Sequence, residues 1–562
     1  MTNAKLQKES IKQNIKSNLK RSLVVNGYDD FEPEVYPTTD QKFGDYYSVT
    51  ALKVSQVQKK QSLQETAKNI EANLPKNSPI FSAHLAPNGF INFKIKKDFL
   101  QSIVQKIIES DMSFGAGEVG KGRKARVEFI SANPTGPLHI GNARGGPLGD
   151  TIANVLEFSG YQVLREYLNN DQGNQILELG KTLAAKAGLI DLEKKDLTYS
   201  GEYTTKLAQK VKKHLKAEQF KSESKIIEKA GRLGVDLLLK DILKDASDTG
   251  IKFDLVVNES DLQSKIPQAL DKLKPVLKKY DGATWFAPRN EFLKDKDAVV
   301  VKSDGTYTYF GSDIVYHQEK FGSGYDLVVD IFGSNTSGHV PKLKALAQAL
   351  GFDNDRFRII LYQFVRVKRG ENVIRMSKRA GNFITAREVL DEVGKDAFRF
   401  NLLMYDPSTH MDFDLEKAKR ASVDNPVYYV QYAHARCNSL LKKAQQNGIS
   451  LENLSKQDTS LLIKNDELAL IRKMIRFPDL IDDLSHNFAV HLLPAFSIEL
   501  ADKFHKYYEQ ERIIGKEAEL SMARLALVKA VKIVLRNSLQ LMGISAPEQM
   551  TNLEKTDGSK TT

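Results

Sequence analysis

The stretch from Arg126 to Asp150 limits the possible fold more tightly than any other part of the chain. Arg126 to Ser131 mixes β-branched and aromatic side chains and predicts a strand. Asn133-Pro134-Thr135-Gly136-Pro137 cannot prolong it, because proline lacks a ladder N–H and glycine breaks the run. Apolar residues resume at Leu148, Ile152, Val155 and Leu156 with a helical period, and Gly160 follows as a stop signal. Tyr161 to Leu168 predicts a second strand. The result is a strand–loop–helix–strand unit with His139 and several glycines at the mouth of the helix. Such a mouth offers unpaired N–H groups and the positive end of the helix dipole, which suits phosphate. Glycine at 141 lets a flat base lie against the backbone.

His139-Ile140-Gly141-Asn142 resembles the HIGH signature of class I aminoacyl-tRNA synthetases, and the run from Glu128 to Asn142 is similar to that of the arginyl-tRNA synthetases. A second stretch, Arg375-Met376-Ser377-Lys378-Arg379-Ala380-Gly381-Asn382, resembles their KMSK loop, which closes over the phosphates of ATP. Lysine and serine there supply a point charge and a hydroxyl for the leaving pyrophosphate. The resemblance implies ATP binding by His139, Gly141, Asn142, Met376, Ser377 and Lys378. His139, Asn142 and Lys378 would act electrostatically in catalysis. Two positions depart from the family pattern, Arg375 for the first lysine and Asn142 for the last histidine. Both keep hydrogen-bond donors, and ATP binding is expected to survive. A third departure is Gly333-Ser334-Asn335-Thr336-Ser337-Gly338-His339, where many relatives carry a Gly-Ala-Asp-His type stretch for the ribose.

A guanidinium presents five N–H donors and a permanent charge, so a pocket for it needs carboxylates and carbonyl oxygens. The family's pocket positions correspond here to Glu128, Ser131, Asn133 and His139 near the α-amino group. Glu259, Tyr309 and Asp313 correspond to the guanidinium end. The resemblance implies activation of arginine by ATP with Mg2+ and transfer to the 3′ end of tRNA(Arg), with no structural metal. Another class I synthetase, a non-catalytic RNA-binding homologue and a small-molecule nucleotidyltransferase are the rival readings.

The chain carries a formal net charge of +11, which fits a polyanionic partner such as RNA. Its single cysteine, Cys437, excludes an internal disulfide framework and a cysteine-based zinc site. The lysine-rich first 20 residues lack the apolar core of a signal peptide, and no apolar run reaches the ~18 residues of a membrane span. A cytoplasmic, monomeric enzyme is expected.

Residues 1–120 read as an α/β unit, with helical patterning from Leu6 to Asn26 and Leu63 to Asn73. Two strands, Ile80 to Leu85 and Phe90 to Ile95, are joined there by an Ala86-Pro87-Asn88-Gly89 turn. This unit resembles the family's N-terminal additional domain, and Asn88, Phe90 and Asn92 inherit a tRNA-binding role, with core packing as the alternative for Phe90. Four glycines between Ser113 and Lys124 mark a linker. Residues 121–385 alternate strands and helices and predict a doubly wound parallel sheet of Rossmann type, interrupted by a charged helical insertion at 174–247. Tyr307 to Phe310 reads as strand. From 386 to 550 strand signals vanish and an all-α bundle is expected, which resembles the family's anticodon-binding domain. Asn425 is read as a helix cap and Pro426 as its first residue. Tyr429, Tyr432 and Arg436 fall on one helix face, and Tyr508 and Met550 match further tRNA-binding positions. Tyr428 reads as bundle packing, and residues 551–562 as a disordered tail.

Overall fold

The computed structural model describes residues 10–59, 61–193, 196–215, 220, 222–294, 296–374 and 383–550. The expected helix start at Leu6, the Arg375–Asn382 motif and the tail from 551 lie outside them.

The N-terminal unit opens with a helix, Ile11–Val25, capped by the Ser10 hydroxyl accepting from the Gln13 N–H. It lays Ile15, Leu19 and Leu23 against a four-stranded antiparallel sheet in the order Val35–Pro37, Tyr46–Ser48, Ile91–Ile95, Phe81–Leu85. The expected hairpin is present at 86–89. Gly89 has φ +79°, and a Cβ there would meet the Leu63 side chain at 2.6 Å. The two short strands, Val35–Pro37 and Tyr46–Ser48, were not legible, because each is only three residues long.

Five parallel strands form the central sheet, in the order Phe357–Tyr362, Leu327–Gly333, Lys124–Glu128, Gln162–Asn169, Leu255–Asn258. The chain starts at the centre, runs to one edge, then returns to the other side. The order therefore reverses between Lys124–Glu128 and Leu327–Gly333, and ligands of such sheets bind beyond the strand ends at that point. The helix Gly145–Phe158 packs directly on the sheet. Gly149 permits the approach, since a Cβ there would lie 2.2 Å from the Phe129 ring. The first strand is shorter than expected. It ends at Glu128, and Ile130 and Ser131 take φ +67° and +36°, which no strand accommodates.

The insertion consists of helices Asn174–Lys186, Glu202–Leu215 and Glu223–Asp248. Leu277–Tyr280, Ala283–Phe286 and Ala298–Val301 form a separate antiparallel sheet rather than joining the parallel one. The strand expected at Tyr307 to Phe310 is instead a helix start, because Tyr309–Gly322 is helical. Nor is the chain beyond 386 free of strand: Met411–Asp414 pairs parallel with Val365–Arg369. The bundle otherwise comprises Ala386–Leu403, Leu415–Lys419, Pro426–Gln446, Asn465–Met474, Arg476–Asn487, Leu492–Gln510 and Ala518–Leu541. Asn425 occupies the cap position of its helix without capping. Its amide donates to the Ala418 and Arg420 carbonyls, so only the Pro426 half of that reading holds. The N-terminal unit rests on the bundle through Asp479, which accepts from the Tyr46 hydroxyl at 2.5 Å and the Lys12 N–H at 3.1 Å.

Candidate active site

The site grows out of the turn that ends the central strand. The Ser131 hydroxyl accepts from the Leu168 N–H at 3.0 Å, and the Ala132 carbonyl accepts from the Tyr167 hydroxyl at 2.7 Å. These bonds tie the left-handed turn to the neighbouring strand and carry the chain past the strand ends. Asn133 emerges exposed, accepting from Asn170 at 2.7 Å and donating to Gln175 at 3.0 Å.

His139 then caps the short helix Ile140–Ala143: its Nδ1 accepts from the Gly141 N–H at 2.9 Å. With Nδ1 an acceptor, the ring hydrogen sits on Nε2, and that nitrogen is the donor. A Cβ on Gly141 would lie 3.0 Å from His139 Nδ1, so glycine lets the ring fold back onto its own loop. The Asn142 carbonyl accepts from the Tyr362 hydroxyl at 3.3 Å. Arg144, 1% exposed, donates to the carbonyls of Gln363, Asp406 and Thr409 at 2.8–2.9 Å, and burial lowers its pKa to about 10. It fixes the helix mouth to the 405–409 loop.

The chain on the far side of the second motif is stitched to this mouth. The Ala386 N–H donates to the Leu138 carbonyl at 2.7 Å, and the Ile140 N–H to that of Ile384 at 3.2 Å. The Phe383 ring lies 5.7 Å from the His139 ring. Met376, Ser377 and Lys378 fall outside the described residues, but the chain re-emerges from their segment against His139.

Beyond the strand ends lies a cluster of acids. Glu259 is 4% exposed, and its Oε2 has no hydrogen-bond partner among the described residues. Burial raises its pKa; Ser312 and Gln172 partly offset this, while Asp313 and Asp171 add to the rise. Asp171 accepts from the N–H and hydroxyl of Ser260 at 2.8 and 2.6 Å. Asp313 follows Tyr309 by one helical turn, with its Oδ2 3.5 Å from His339 Nδ1. Tyr309, 55% exposed, leans over Gly173, where a Cβ would meet its hydroxyl at 2.8 Å. Three carboxylates, one with an unpaired oxygen, thus stand near an aromatic ring, an arrangement whose negative charge a cation could balance.

Glu128, expected near the α-amino group, is turned into the sheet rather than toward Glu259. It is 1% exposed, and its Oε2 lies 2.5 Å from Lys320 Nζ. It is the last residue of its strand, ahead of the turn at Ile130 and Ser131. Asn335 folds back on Gly333, its Oδ1 2.6 Å from the position of a Cβ there.

Several residues here carried no motif. Asp171 and Gln172 lie just past the end of the strand Gln162–Asn169, so the strand-end rule could have found them. Tyr203, whose hydroxyl donates to the Thr135 carbonyl at 3.0 Å, comes from the insertion and had no such signal.

Two further surfaces gather the other expected residues. On the N-terminal sheet, Tyr36, Tyr47, Asn92 and His84 lie in one row across the strands. Phe90 stacks on Tyr47 with centroids 5.6 Å apart and 9° between planes, and the Asn88 side chain accepts from the Phe90 N–H at 3.2 Å. Phe90 thus lies on the outer face rather than in the core. In the bundle, the Arg436 guanidinium lies 4.6 Å from the Tyr432 ring and 4.5 Å from that of Tyr508. It also donates to His505 Nδ1 at 3.0 Å, and Tyr429 lies 4.7 Å from the same imidazole. Burial, with Arg436 beside it, lowers the His505 pKa to about 4, so the ring accepts at neutral pH. Met550 ends a segment laid along the Pro426–Gln446 helix by bonds from Gln431 to Ser545 at 2.9 Å and from Asn438 to Glu548 at 3.0 Å.

With this geometry described, comparison with known proteins is informative. Residues 103–439 match the family model "tRNA synthetases class I (R), catalytic domain". Residues 9–95 match "Arginyl tRNA synthetase N terminal domain", and residues 430–550 "DALR anticodon binding domain". The protein named arginine--tRNA ligase of Syntrophotalea carbinolica is 38% identical over 90% of this chain and 93% of its own. Its namesake in Staphylococcus carnosus is 37% identical over 96% and 99%. The solved arginyl-tRNA synthetase of Thermus thermophilus superposes with a TM-score of 0.79 over 96% of this chain and 100% of its own, at 21% identity.

Proposed function

The chain belongs to the arginyl-tRNA synthetases, and from that premise we propose how its residues divide the reaction. The protein is an arginine–tRNA ligase: it activates L-arginine with ATP and transfers it to the 3′ end of tRNA, giving AMP and diphosphate. The single observation carrying the residue assignment is the unpaired carboxylate oxygen of Glu259 beside Asp171 and Asp313. Such a buried oxygen is unfavourable until a donor arrives, and a guanidinium supplies both charge and donors.

In the proposed arrangement Glu259 and Asp313 hold the guanidinium, with Tyr309 covering it. Ser131, Asn133 and His139 line the α-amino end. The arginine carboxylate attacks the α-phosphate of ATP in line, and pyrophosphate leaves. The Nε2–H of His139 and the Asn142 amide donate to phosphate oxygens as charge builds, and Lys378 and Ser377 neutralise the leaving group. Gly141 and Met376 make room for the base. Mg2+ accompanies ATP as part of the substrate. The terminal ribose hydroxyl of tRNA(Arg) then attacks the adenylate, so no covalent enzyme intermediate is required. Asn88, Phe90 and Asn92 meet a tRNA loop, and Tyr429, Tyr432, Arg436, Tyr508 and Met550 meet the anticodon. Rings and guanidinium planes suit unstacked bases. We place the enzyme in the cytoplasm as a monomer.

Charging of tRNA(Arg) with each amino acid in turn tests this reading. Arginine alone should be transferred, and Asp313→Ala should raise its KM while ATP use persists. Equal charging by an uncharged amino acid would overturn it.

A further inference from the structure

Beneath the pocket, the sheet carries a row of acids that the reaction does not use. The strand register sets Asp330 and Glu166 on either side of Glu128. Three carboxylates therefore stand abreast on neighbouring strands, one strand spacing apart. Each is at most 1% exposed. Unbalanced, they would repel one another in a medium that screens poorly.

The cations come from two directions. Arg126, on the same strand as Glu128, donates to Glu166 through Nε at 2.6 Å. Lys320, with a fully buried side chain, brings its Nζ to 2.5 Å from Glu128, 2.7 Å from Asp330 and 3.7 Å from Glu166. His317 faces an acceptor on each side, the Asp313 carbonyl at 2.9 Å from Nδ1 and Asp330 Oδ2 at 3.0 Å from Nε2. Burial by itself would raise the Asp330 pKa, but Lys320 and His317 outweigh it and hold the group down to about 2. Asp330 therefore stays an acceptor.

Tyr309, Asp313, His317 and Lys320 form one stripe of the helix Tyr309–Gly322. The upper half of the stripe faces the pocket. The lower half is bolted to the three strands whose ends carry the His139 loop, Asp171 and Gly333. We infer that Lys320 and His317 are positioning residues, which set where the Tyr309–Asp313 turn meets the arginine side chain. They touch no substrate. They act by clamping the recognition helix to the acid row, and the His317–Asp313 bond connects clamp to pocket. The inference rests on the assignment of Asp313 to the guanidinium.

The discriminating experiment compares two substitutions of His317 in the full enzyme. His317→Gln places a donor near the Nε2 position and keeps the bond to Asp330. His317→Asn mimics Nδ1 and loses that bond. Lys320 still neutralises the acids in both, so the fold is retained. For His317→Asn the arginine KM should rise about tenfold to a hundredfold, as for loss of a charge-assisted hydrogen bond, with the KM for ATP unchanged. His317→Gln should stay within about threefold of the parent. Lys320→Met should show the same selective loss; if it does not fold, the His317 pair decides alone. Equal effects of Gln and Asn, or parallel rises in the KM for arginine and ATP, would reduce the cluster to a stability element and overturn the inference. Asp313→Ala serves as the control. If it leaves the arginine KM unmoved, the pocket assignment fails; if it raises the KM while His317→Asn does not, only the positioning role fails.

Discussion

Glu259→Gln separates binding from stability with a change of one charge and almost no volume. The parent carboxylate is 4% exposed, and one of its oxygens is without a partner. Removing one side of a buried, hydrogen-bonded charge pair costs about 2–5 kcal/mol of binding. The glutamine carbonyl still accepts one bond, and Asp313 remains, so the loss belongs in the lower part of that range. About 2–3 kcal/mol corresponds to a rise in arginine KM of roughly 30- to 150-fold. Pyrophosphate exchange in the presence of tRNA measures it, with ATP varied separately as the internal control. Discrimination against an uncharged ureido analogue of arginine should narrow in the same variant. Stability should move the other way. A buried acid whose folded pKa lies above its unfolded value makes the folded state bind more protons, so stability falls as pH rises through that window. Burial gives Glu259 this direction of shift. The ligand-free variant should therefore melt no lower than the parent at neutral pH, and its melting should depend less on pH between the ordinary carboxylate value and the raised one. The parent's arginine KM should also climb as pH falls toward that raised pKa, while the variant's stays flatter. An unchanged arginine KM, or a variant that loses arginine affinity and stability together, would refute the reasoning.

Lys378→Ala should slow adenylate formation by about 10²- to 10³-fold in a single turnover while arginine binding is retained, as expected for a group that stabilises developing charge. A fall in arginine affinity alone would remove it from the phosphate role. Phe90→Ala removes the ring stacked on Tyr47 from an outer sheet face. It should raise the tRNA KM by about tenfold, the range for one stacked base, without lowering the melting temperature. An unchanged tRNA KM would make that face incidental. Cys437 is fully buried, and burial raises its thiol pKa well above the usual value, so native enzyme should resist iodoacetamide and react only once unfolded. Rapid modification of the native chain would contradict the packing of the Pro426–Gln446 helix.

What the sequence made legible depended on how far apart the interacting residues lie. Local chemistry was readable. The Asn88-Gly89 turn, the stop at Gly160 and the proline opening the Pro426–Gln446 helix each follow from one or two residues. Failures came where distant partners override local preference. Phe129 to Ser131 reads as strand by composition, yet bonds from Leu168 and Tyr167 bend it into the turn that opens the site. Tyr307 to Phe310 is aromatic and β-branched, yet Tyr309 starts a helix whose stripe of Asp313, His317 and Lys320 needs the sheet beneath it. Met411–Asp414 is a strand only because Val365–Arg369 offers it an edge.

The same limit explains why Glu128 and Glu259 read alike in the sequence. Glu128 and Glu259 are both glutamates at the carboxyl end of a parallel strand, and nothing in the residue type separates them. The difference is made by a helix that begins some fifty residues beyond Glu259. The register brings Lys320 to Glu128, so that charge is neutralised and serves the fold. Among the described residues, no cation reaches the unpaired oxygen of Glu259, and the nearby carboxylates of Asp171 and Asp313 make its isolation worse. Buried charge by itself therefore does not mark a binding site. The site is where the local sum of charges fails to close, and the ligand that closes it must carry the missing sign. A fork of positive N–H donors meets that requirement here.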